Sequence, residues 1–171
     1  MSDKFDIVSF KKLEKGDADG IERMSSVATA IVREYYDPIL GTAQNDYMLE
    51  MFQSVRAIKE QLDRGVSYYF VEGDGKIIGF FAFYPKKDCL YLSKFYLEAP
   101  ARGRGAGKRA LEFIKGEAAG AGKDSIELNV NRNNIDTIGF YEATGFRRIR
   151  SEKNDIGNGF FMDDHVYGLK I

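Results

Sequence analysis

Residues 89–130 constrain the chain most, because they read as strand, glycine-rich turn, helix and strand in immediate succession. Cys89 to Leu97 is apolar or aromatic on both faces, the pattern of a central strand covered on two sides. A turn containing Gly103, Gly105 and Gly107 follows, and the segment from Ala106 to about Ala119 places Ala110, Leu111, Ile114 and Ala118 on one helical stripe. Ser125 to Val130 is the next strand. Strand, helix, strand implies a parallel pair joined by a right-handed crossover. A short helix from Asp136 to about Thr144, ended by Gly145, comes after it.

The flanking sequence completes an α/β chain. A short strand is expected near Ile7 to Phe10, then a helix from Asp19 to Tyr36 with Ile21, Met24, Val27, Ala28, Ile31, Val32 and Tyr35 at helical spacing and Asp19 and Glu22 as a capping-box-like start. Pro38 and Gly41 are expected to interrupt it. A second helix carries Met48, Met51, Phe52, Val55, Ile58 and Leu62 and stops at Gly65. Val66 to Glu72 and Lys76 to Tyr84 flank Gly73-Asp74-Gly75, a hairpin signal that predicts antiparallel pairing. Two more strands, around Phe146 to Glu152 and Phe160 to Leu169, are joined by the turn-rich Asn154 to Gly159. No repeat, low-complexity tract or linker interrupts the chain, so one domain over residues 1–171 is expected.

Composition narrows the function. A formal charge of -1 argues against broad electrostatic binding to nucleic acid or an anionic membrane, so any anion site is local. Cys89 is the sole cysteine, which excludes an internal disulfide and fits a reducing compartment. The first residues lack an apolar signal core, and the longest apolar stretch, Ile77 to Tyr84, is too short to span a bilayer. A cytoplasmic protein is expected. One cysteine and one histidine, His165, do not make up a zinc ligand set, and no metal is expected.

The chemistry is concentrated in Arg102-Gly103-Arg104-Gly105-Ala106-Gly107-Lys108-Arg109. A helix N-terminus exposes unpaired backbone N–H groups with partial positive charge, and glycines let a phosphate approach them. The segment is not an ATP-type P-loop: Arg102 stands where that motif needs its first glycine, and Arg109 where it needs Ser or Thr after Lys108. Nor is it the dinucleotide fingerprint, whose third glycine would fall on Lys108. What it satisfies is R-x-x-G-x-G.

In that motif the sequence resembles the GNAT acetyltransferase family, whose central signature is Q/R-x-x-G-x-G/A after a strand. A second family motif, an Asn followed by a Tyr and then Gly-Phe, is matched by Asn134, Tyr141, Gly145 and Phe146, and Leu128-Asn129-Val130 lies where the family places a strand. The resemblance covers about Cys89 to Phe146. It implies the GNAT acyl-CoA N-acyltransferase fold, a mixed, mostly antiparallel sheet with a splayed central parallel pair flanked by helices, and acetyl-CoA as cosubstrate. It implies further that the main chain of Phe95, Tyr96 and Leu97 hydrogen-bonds the pantetheine arm, that the amides of Gly103, Arg104, Gly105, Ala106, Gly107 and Lys108 take the pyrophosphate, and that Arg102, Arg104 and Lys108 add charge. Asn134 would meet the pantetheine side and Tyr141 the sulfur.

The implied reaction is direct attack of a neutral amine on the thioester carbonyl, with a strand N–H near Leu97 on the oxyanion and Tyr141 as the acid for the departing thiolate. Many relatives carry a Glu on the central strand, whereas this strand reads Tyr91-Leu92-Ser93-Lys94-Phe95-Tyr96-Leu97. The general base is thus not identified; Glu127 and Asn129, on one face of the next strand, are candidates by direction alone. Lys94, costly if buried alone, is expected either to pair with Glu127 across the strands, to bind an acidic acceptor group, or to reach solvent. The family implies that acceptor residues come from the first helices and last strands, here Tyr35, Tyr36, Asp37 and Tyr47, and Asp163, Asp164 and His165, with Ser93 beside Lys94 on the central strand. Aromatic rings beside carboxylates suit a cationic amine. A small amine or polyamine is the expected acceptor; a protein N-terminus and a non-catalytic acyl-CoA-binding module are the alternatives. Family members are often dimers, and no residue here marks such an interface.

Overall fold

The computed structural model describes residues 3–171. Its elements are β1 (Val8–Lys12), α1 (Ala18–Leu40), α2 (Thr42–Phe52), α3 (Val55–Asp63), β2 (Ser67–Gly73), β3 (Lys76–Pro85), β4 (Leu90–Leu97), a 3-10 turn at Ala99–Ala101, α4 (Ala106–Gly120), β5 (Ser125–Asn131), α5 (Ile135–Ala143), β6 (Arg147–Gly157) and β7 (Phe160–Lys170). The strands are ordered β1-β2-β3-β4-β5-β7-β6. Two compact units are distinguished: the chain through Tyr84 with Lys94–Phe113, and Pro85–Ser93 with Ile114–Ile171. Strand β4 and helix α4 each pass from one unit to the other.

In the first unit β1 pairs with β2 and β2 with β3, both antiparallel. Asp74 and Gly75 turn the β2–β3 hairpin at φ 49° and 83°, the left-handed pair that a two-residue hairpin turn requires. One face of β2 and β3, with Tyr68, Phe70, Phe80 and Ala82, joins Ile21, Met24, Ala28, Ile31, Val32, Leu49, Ile58 and Leu62 of the three helices in one core. The other face stacks Tyr69 and Phe81, ring centres 5.2 Å apart, with Phe113 of α4 5.1 Å from Tyr69 and 5.9 Å from Phe81. Burial on both faces accounts for the unbroken apolar run in these strands.

Helix boundaries depart from the periodicity in three places. Asp17 rather than Asp19 caps α1, its carboxylate accepting from Gly20 N–H at 3.0 Å. Pro38 lies inside α1, which continues to Leu40. A proline forfeits its own N–H and crowds the preceding turn; so close to the helix end the loss is small, and Gly41 N–H bonds Asp37 O at 3.1 Å. The expected helix through Met48 and Leu62 is two helices, because Ser54 Oγ accepts from Ala57 N–H at 3.1 Å and starts α3 afresh.

In the second unit β4 pairs parallel with β5 through Leu90↔Ile126 and Tyr91↔Glu127. Strand β7 is antiparallel to both β5 and β6. The Asn154–Gly159 stretch, expected to be turn, is mostly strand: β6 runs to Gly157, and Asn158 and Gly159, at φ 54° and 78°, make the reversal alone. Ile126, Leu128, Val130, Val166 and Phe146 are buried in this unit.

Candidate functional site

The glycine-rich segment lies in the first unit, between the end of β4 and the start of α4. Gly79 admits the β4 main chain: a Cβ there would lie 2.2 Å from Tyr96 O and 3.0 Å from Leu97 Cα. Beyond Leu97, Glu98 N–H donates to Ile78 O at 2.8 Å, and the Ala99–Ala101 turn carries the chain into the loop. Gly103 and Gly105 have φ of 74° and 89°, a conformation that side chains with a Cβ rarely adopt. The first bond of α4 runs from Arg109 N–H to Gly105 O at 3.3 Å. The amides that precede it are those whose helical acceptors would lie before the helix, so they form the positive end of its dipole.

The loop cations differ in their engagements. Arg102 Nε donates to Leu97 O at 3.0 Å, its Nη2 meets Glu34 Oε1 at 2.5 Å, and its guanidinium lies 4.0 Å over the Tyr35 ring. Arg104 Nε donates to Asp3 O at 2.6 Å, with the guanidinium 3.9 Å over the Phe5 ring. Lys108 is exposed on the first turn of α4. Beside the loop Tyr35 and Tyr36 of α1 lie with Tyr96 of β4, ring centres 5.6 to 6.2 Å apart, and Phe80 is 5.6 Å from Tyr96. The Tyr36 and Tyr96 hydroxyls are 3.4 Å apart. Asp37 turns instead to Asn45 Nδ2, at 2.7 Å.

Lys94 does not make the pair expected of it. Strand alternation sends it to the face opposite Tyr91, the residue in register with Glu127. Its Nζ donates to Phe52 O at 2.5 Å, to Gln53 Oε1 at 3.0 Å and to the Tyr68 hydroxyl, which donates onward to Gln61 Oε1 at 2.5 Å. The residue is 7% exposed, and burial pushes its pKa down to about 7. Neither solvent nor an acceptor acid is needed to satisfy it.

In the second unit Asn134 precedes α5, buried, with its N–H on Asn131 O at 3.0 Å. Tyr141 is a buried aromatic of α5, 5.6 Å from the Phe140 ring and 5.3 Å from that of Phe146, and Phe146 N–H bonds its carbonyl at 3.0 Å. The sheet of this unit carries a polar cluster. Tyr91 OH donates to Asn129 Oδ1 at 2.7 Å, and Asn129 Nδ2 stands 3.4 Å from Glu152 Oε2 and 3.5 Å from Asp164 Oδ2. Burial raises the Asp164 carboxyl to about 6, whereas Arg150, 2.8 Å from Glu152, holds that carboxylate below its usual range. Glu127 is 3.9 Å from Arg150, and Asp163 pairs with Arg132 at 2.8 Å. Ser93 is half-buried on β4. His165 contacts Ser151 Oγ at 2.7 Å and Arg148 at 3.4 Å, and burial together with Arg148 lowers its pKa. Among the described residues no group of three or more His, Cys, Asp or Glu is arranged to hold a metal ion. No described helix is long and apolar enough to cross a membrane.

Glu34 and the Asp3–Asp6 segment were not foreseen beside the loop, nor Glu152 in the polar cluster of the second unit. Their roles come from contacts 68, 101 and 23 residues away in sequence, and no local pattern encodes such distances.

Comparison with known proteins bears on both units. The sequence pattern described as the acetyltransferase (GNAT) family matches residues 28–146. The peptidyl-lysine N-acetyltransferase YjaB of Salmonella typhimurium is 30% identical over 78 residues, 45% of this chain and 50% of that protein. The chain therefore spans about half the length of this curated relative. PaiA N-acetyltransferase from Thermoplasma acidophilum, solved in complex with coenzyme A, superposes with a TM-score of 0.76 at 19% identity, covering 95% of this chain and 99% of that one. A GNAT family acetyltransferase from Elizabethkingia anophelis with acetyl-CoA bound gives 0.67 at 15% identity, covering 97% and 99%. At such identities the likeness is one of fold, the mixed sheet with flanking helices that the motifs implied. Because the family pattern extends from α1 through the glycine loop to Phe146, the chain belongs to the acetyltransferase (GNAT) family.

Proposed function

We propose that this chain is an N-acetyltransferase that binds acetyl-CoA and transfers its acetyl group to a primary amine, a small molecule or polyamine, within one ternary complex. The observation that carries the reading is the Gly103–Gly105 turn at the start of α4, with positive φ at both glycines and open space at Gly103 where a Cβ would stand. Such backbone suits a pyrophosphate. The amides of Gly103 to Lys108 and the Lys108 ammonium would receive it, and the main chain of Phe95 to Leu97 the pantetheine amides. Arg102, engaged by Leu97 O and Glu34, would fix the end of β4 rather than grip phosphate. Asn134 is proposed to meet the pantetheine side.

Acetyl-CoA supplies an activated acyl group. The chain's part is to bind it, to admit the amine in its neutral form, and to manage two protons. A C–N bond forms as the C–S bond breaks; the amine loses a proton and the thiolate gains one. Tyr141 O–H is the proposed donor to sulfur, and a strand N–H near Leu97 the proposed oxyanion partner. The proposed base is a carboxylate of β5 or β7, Glu127 or Asp164. The Tyr35–Tyr36–Tyr96 cluster beside the loop favours a cationic acceptor. The whole is proposed to act as one cytoplasmic domain.

The test is to mix purified protein and acetyl-CoA with amines, polyamines and short peptides and follow free thiol above the acceptor-free background. Release with a small amine or polyamine supports the reading. Release with a lysine peptide alone moves the acceptor to protein, the activity named for the Salmonella relative. Tight binding of acetyl-CoA with no release across the panel makes the chain an acyl-CoA-binding module.

A further inference from the structure

In the first unit the corner between α2 and α3 is held from β2, β4 and α1. Lys94 of β4 donates to Phe52 O, the last carbonyl of α2, at 2.5 Å and to Gln53 Oε1 at 3.0 Å, and it meets the Tyr68 hydroxyl of β2. From α3, Gln61 Nε2 donates to Phe52 O at 3.1 Å while its Oε1 accepts from the Tyr68 hydroxyl; from α1, Ser25 Oγ donates to Gln53 O at 2.7 Å. Lys94, Gln53 and Tyr68 are all buried. The first turn of α2 is tied to α1, where the buried Asn45 donates from Nδ2 to Asp37 Oδ1 at 2.7 Å and to Val32 O at 3.3 Å. Val32 and Asp37 bracket Tyr35 and Tyr36, whose ring centres lie 5.6 and 6.1 Å from that of Tyr96. Strand alternation puts Tyr96 on the same face of β4 as Lys94. Helix α2 is thus held by buried polar bonds at both ends, on β4 at one and on α1 at the other.

We propose that Lys94 is a positioning residue for the acceptor: by fixing the α2–α3 corner on β4 it sets α2, and through Asn45 the Tyr35–Tyr36 end of α1, against Tyr96. The proposal rests on the reading of the tyrosine cluster as part of the acceptor site. What makes the hold depend on Lys94 is its proton. The ammonium has a hydrogen for each of its three acceptors and stands at the negative end of the α2 dipole. A neutral amine has one hydrogen fewer and a lone pair, so either one bond is given up or the Tyr68 hydroxyl turns from Gln61 to the amine. Both changes loosen the corner. Burial brings the Lys94 pKa down to about 7 and pushes the phenol of Tyr68, the other titratable group bonded there, upward, so Lys94 is the one that changes charge near neutrality. The competing account is that Lys94 only satisfies a buried corner and leaves the tyrosine cluster untouched.

The two accounts separate by NMR of the full chain carrying isotope-labelled tyrosine. The ring signals of Tyr35 and Tyr36 should follow the Lys94 titration, which Tyr68 reports directly, and should stay flat over the same range in Lys94→Met. Asn45→Leu removes the tie to α1 together with a buried Oδ1 that has no hydrogen-bond partner. In that variant Tyr68 should still follow Lys94 while Tyr35 and Tyr36 do not, whereas a bare field effect of the charge would reach them in either protein. The second readout is acetyl transfer to the amine that the panel above identifies. The acceptor KM of Lys94→Met should exceed that of the parent about 3- to 10-fold at about pH 6, the range for coupling through a packed network, and the gap should close to within about twofold at about pH 8.5, where the parent has lost the proton too. Comparison at equal pH cancels the ionisation of the acceptor, and lost packing alone would leave a gap that is level with pH. Such a level gap overturns the proposal, as do Tyr35 and Tyr36 signals that ignore Lys94 or that follow it equally in Asn45→Leu. Signals that follow Lys94 as expected, beside an acceptor KM that does not move, would sink the reading of the cluster as acceptor site and the proposal with it.

Discussion

Lys94 Nζ has an acceptor for each of its three hydrogens, Phe52 O, Gln53 Oε1 and the Tyr68 hydroxyl, yet burial pushes its pKa from 10.5 down to about 7. An unfolded chain holds that proton up to about 10.5, so between about 7 and 10.5 unfolding takes up a proton and stability attributable to this residue rises with pH. Below about 7 both states are protonated and the dependence vanishes. Lys94→Met removes the titration. Urea unfolding at pH 7 and pH 9 should show the parent gaining on the variant as pH rises, with a slope of up to about 1.4 kcal/mol per pH unit. A difference that stays level would mean that the three acceptors, not burial, set the proton affinity. Tyr141 belongs to the same scale. Its ring contacts with Phe140 and Phe146 persist in Tyr141→Phe, so the melting temperature should move little while the maximal rate falls about 100-fold or more, the size of a general-acid contribution. An unchanged rate would return Tyr141 to a purely structural role in α5.

At the scale of elements, the strands and the loop-to-helix entry were legible because their signals are local. Asp74-Gly75 announces its turn, the Cys89–Leu97 run announces a covered strand, and the glycines before Ala106 announce exposed amides. Ser54 was overlooked because Met51, Phe52, Val55 and Ile58 keep helical spacing across it; a side-chain cap outweighed the stripe. Asn158-Gly159 is itself a hairpin signal, obscured by the polar residues of β6, which is exposed along most of its length. Lys94, Glu34 and Phe5 were illegible for a different reason, since what each one does is set by a partner far along the chain. Gly79 is of this kind too: nothing in Ile77-Ile78-Gly79 says that β4 passes 2.2 Å from a missing Cβ. Backbone at that distance has little room to yield, so Gly79→Ala should cost about 2 kcal/mol or more of stability. Because the atoms struck are Tyr96 O and Leu97 Cα, the same change should weaken acetyl-CoA binding. A variant as stable as the parent would show that β4 shifts freely.

For the whole molecule, Cys89 reports whether the two units unfold together. It is the sole thiol, 3% exposed, and burial followed by the neighbouring Glu127 carboxylate raises its pKa, so a disulfide-exchange reagent should label it slowly in the native state. Cys89 lies in the second unit and the phosphate loop in the first. If the chain folds as one cooperative domain, Cys89 becomes reactive only on global unfolding, and a ligand of the loop must protect it by mass action. Acetyl-CoA at about 100 times its dissociation constant stabilises the bound state by about 2.7 kcal/mol, which corresponds to labelling slowed about 100-fold when reclosing outpaces the reagent. The thioester has no free thiol, so it does not compete for the reagent. Pantetheine acetylated at sulfur, lacking the phosphates, should protect less at equal concentration. Labelling that is indifferent to acetyl-CoA, in a protein shown by titration to bind it, would mean that the second unit opens by itself, and the chain would then have to be treated as two energetically separate parts.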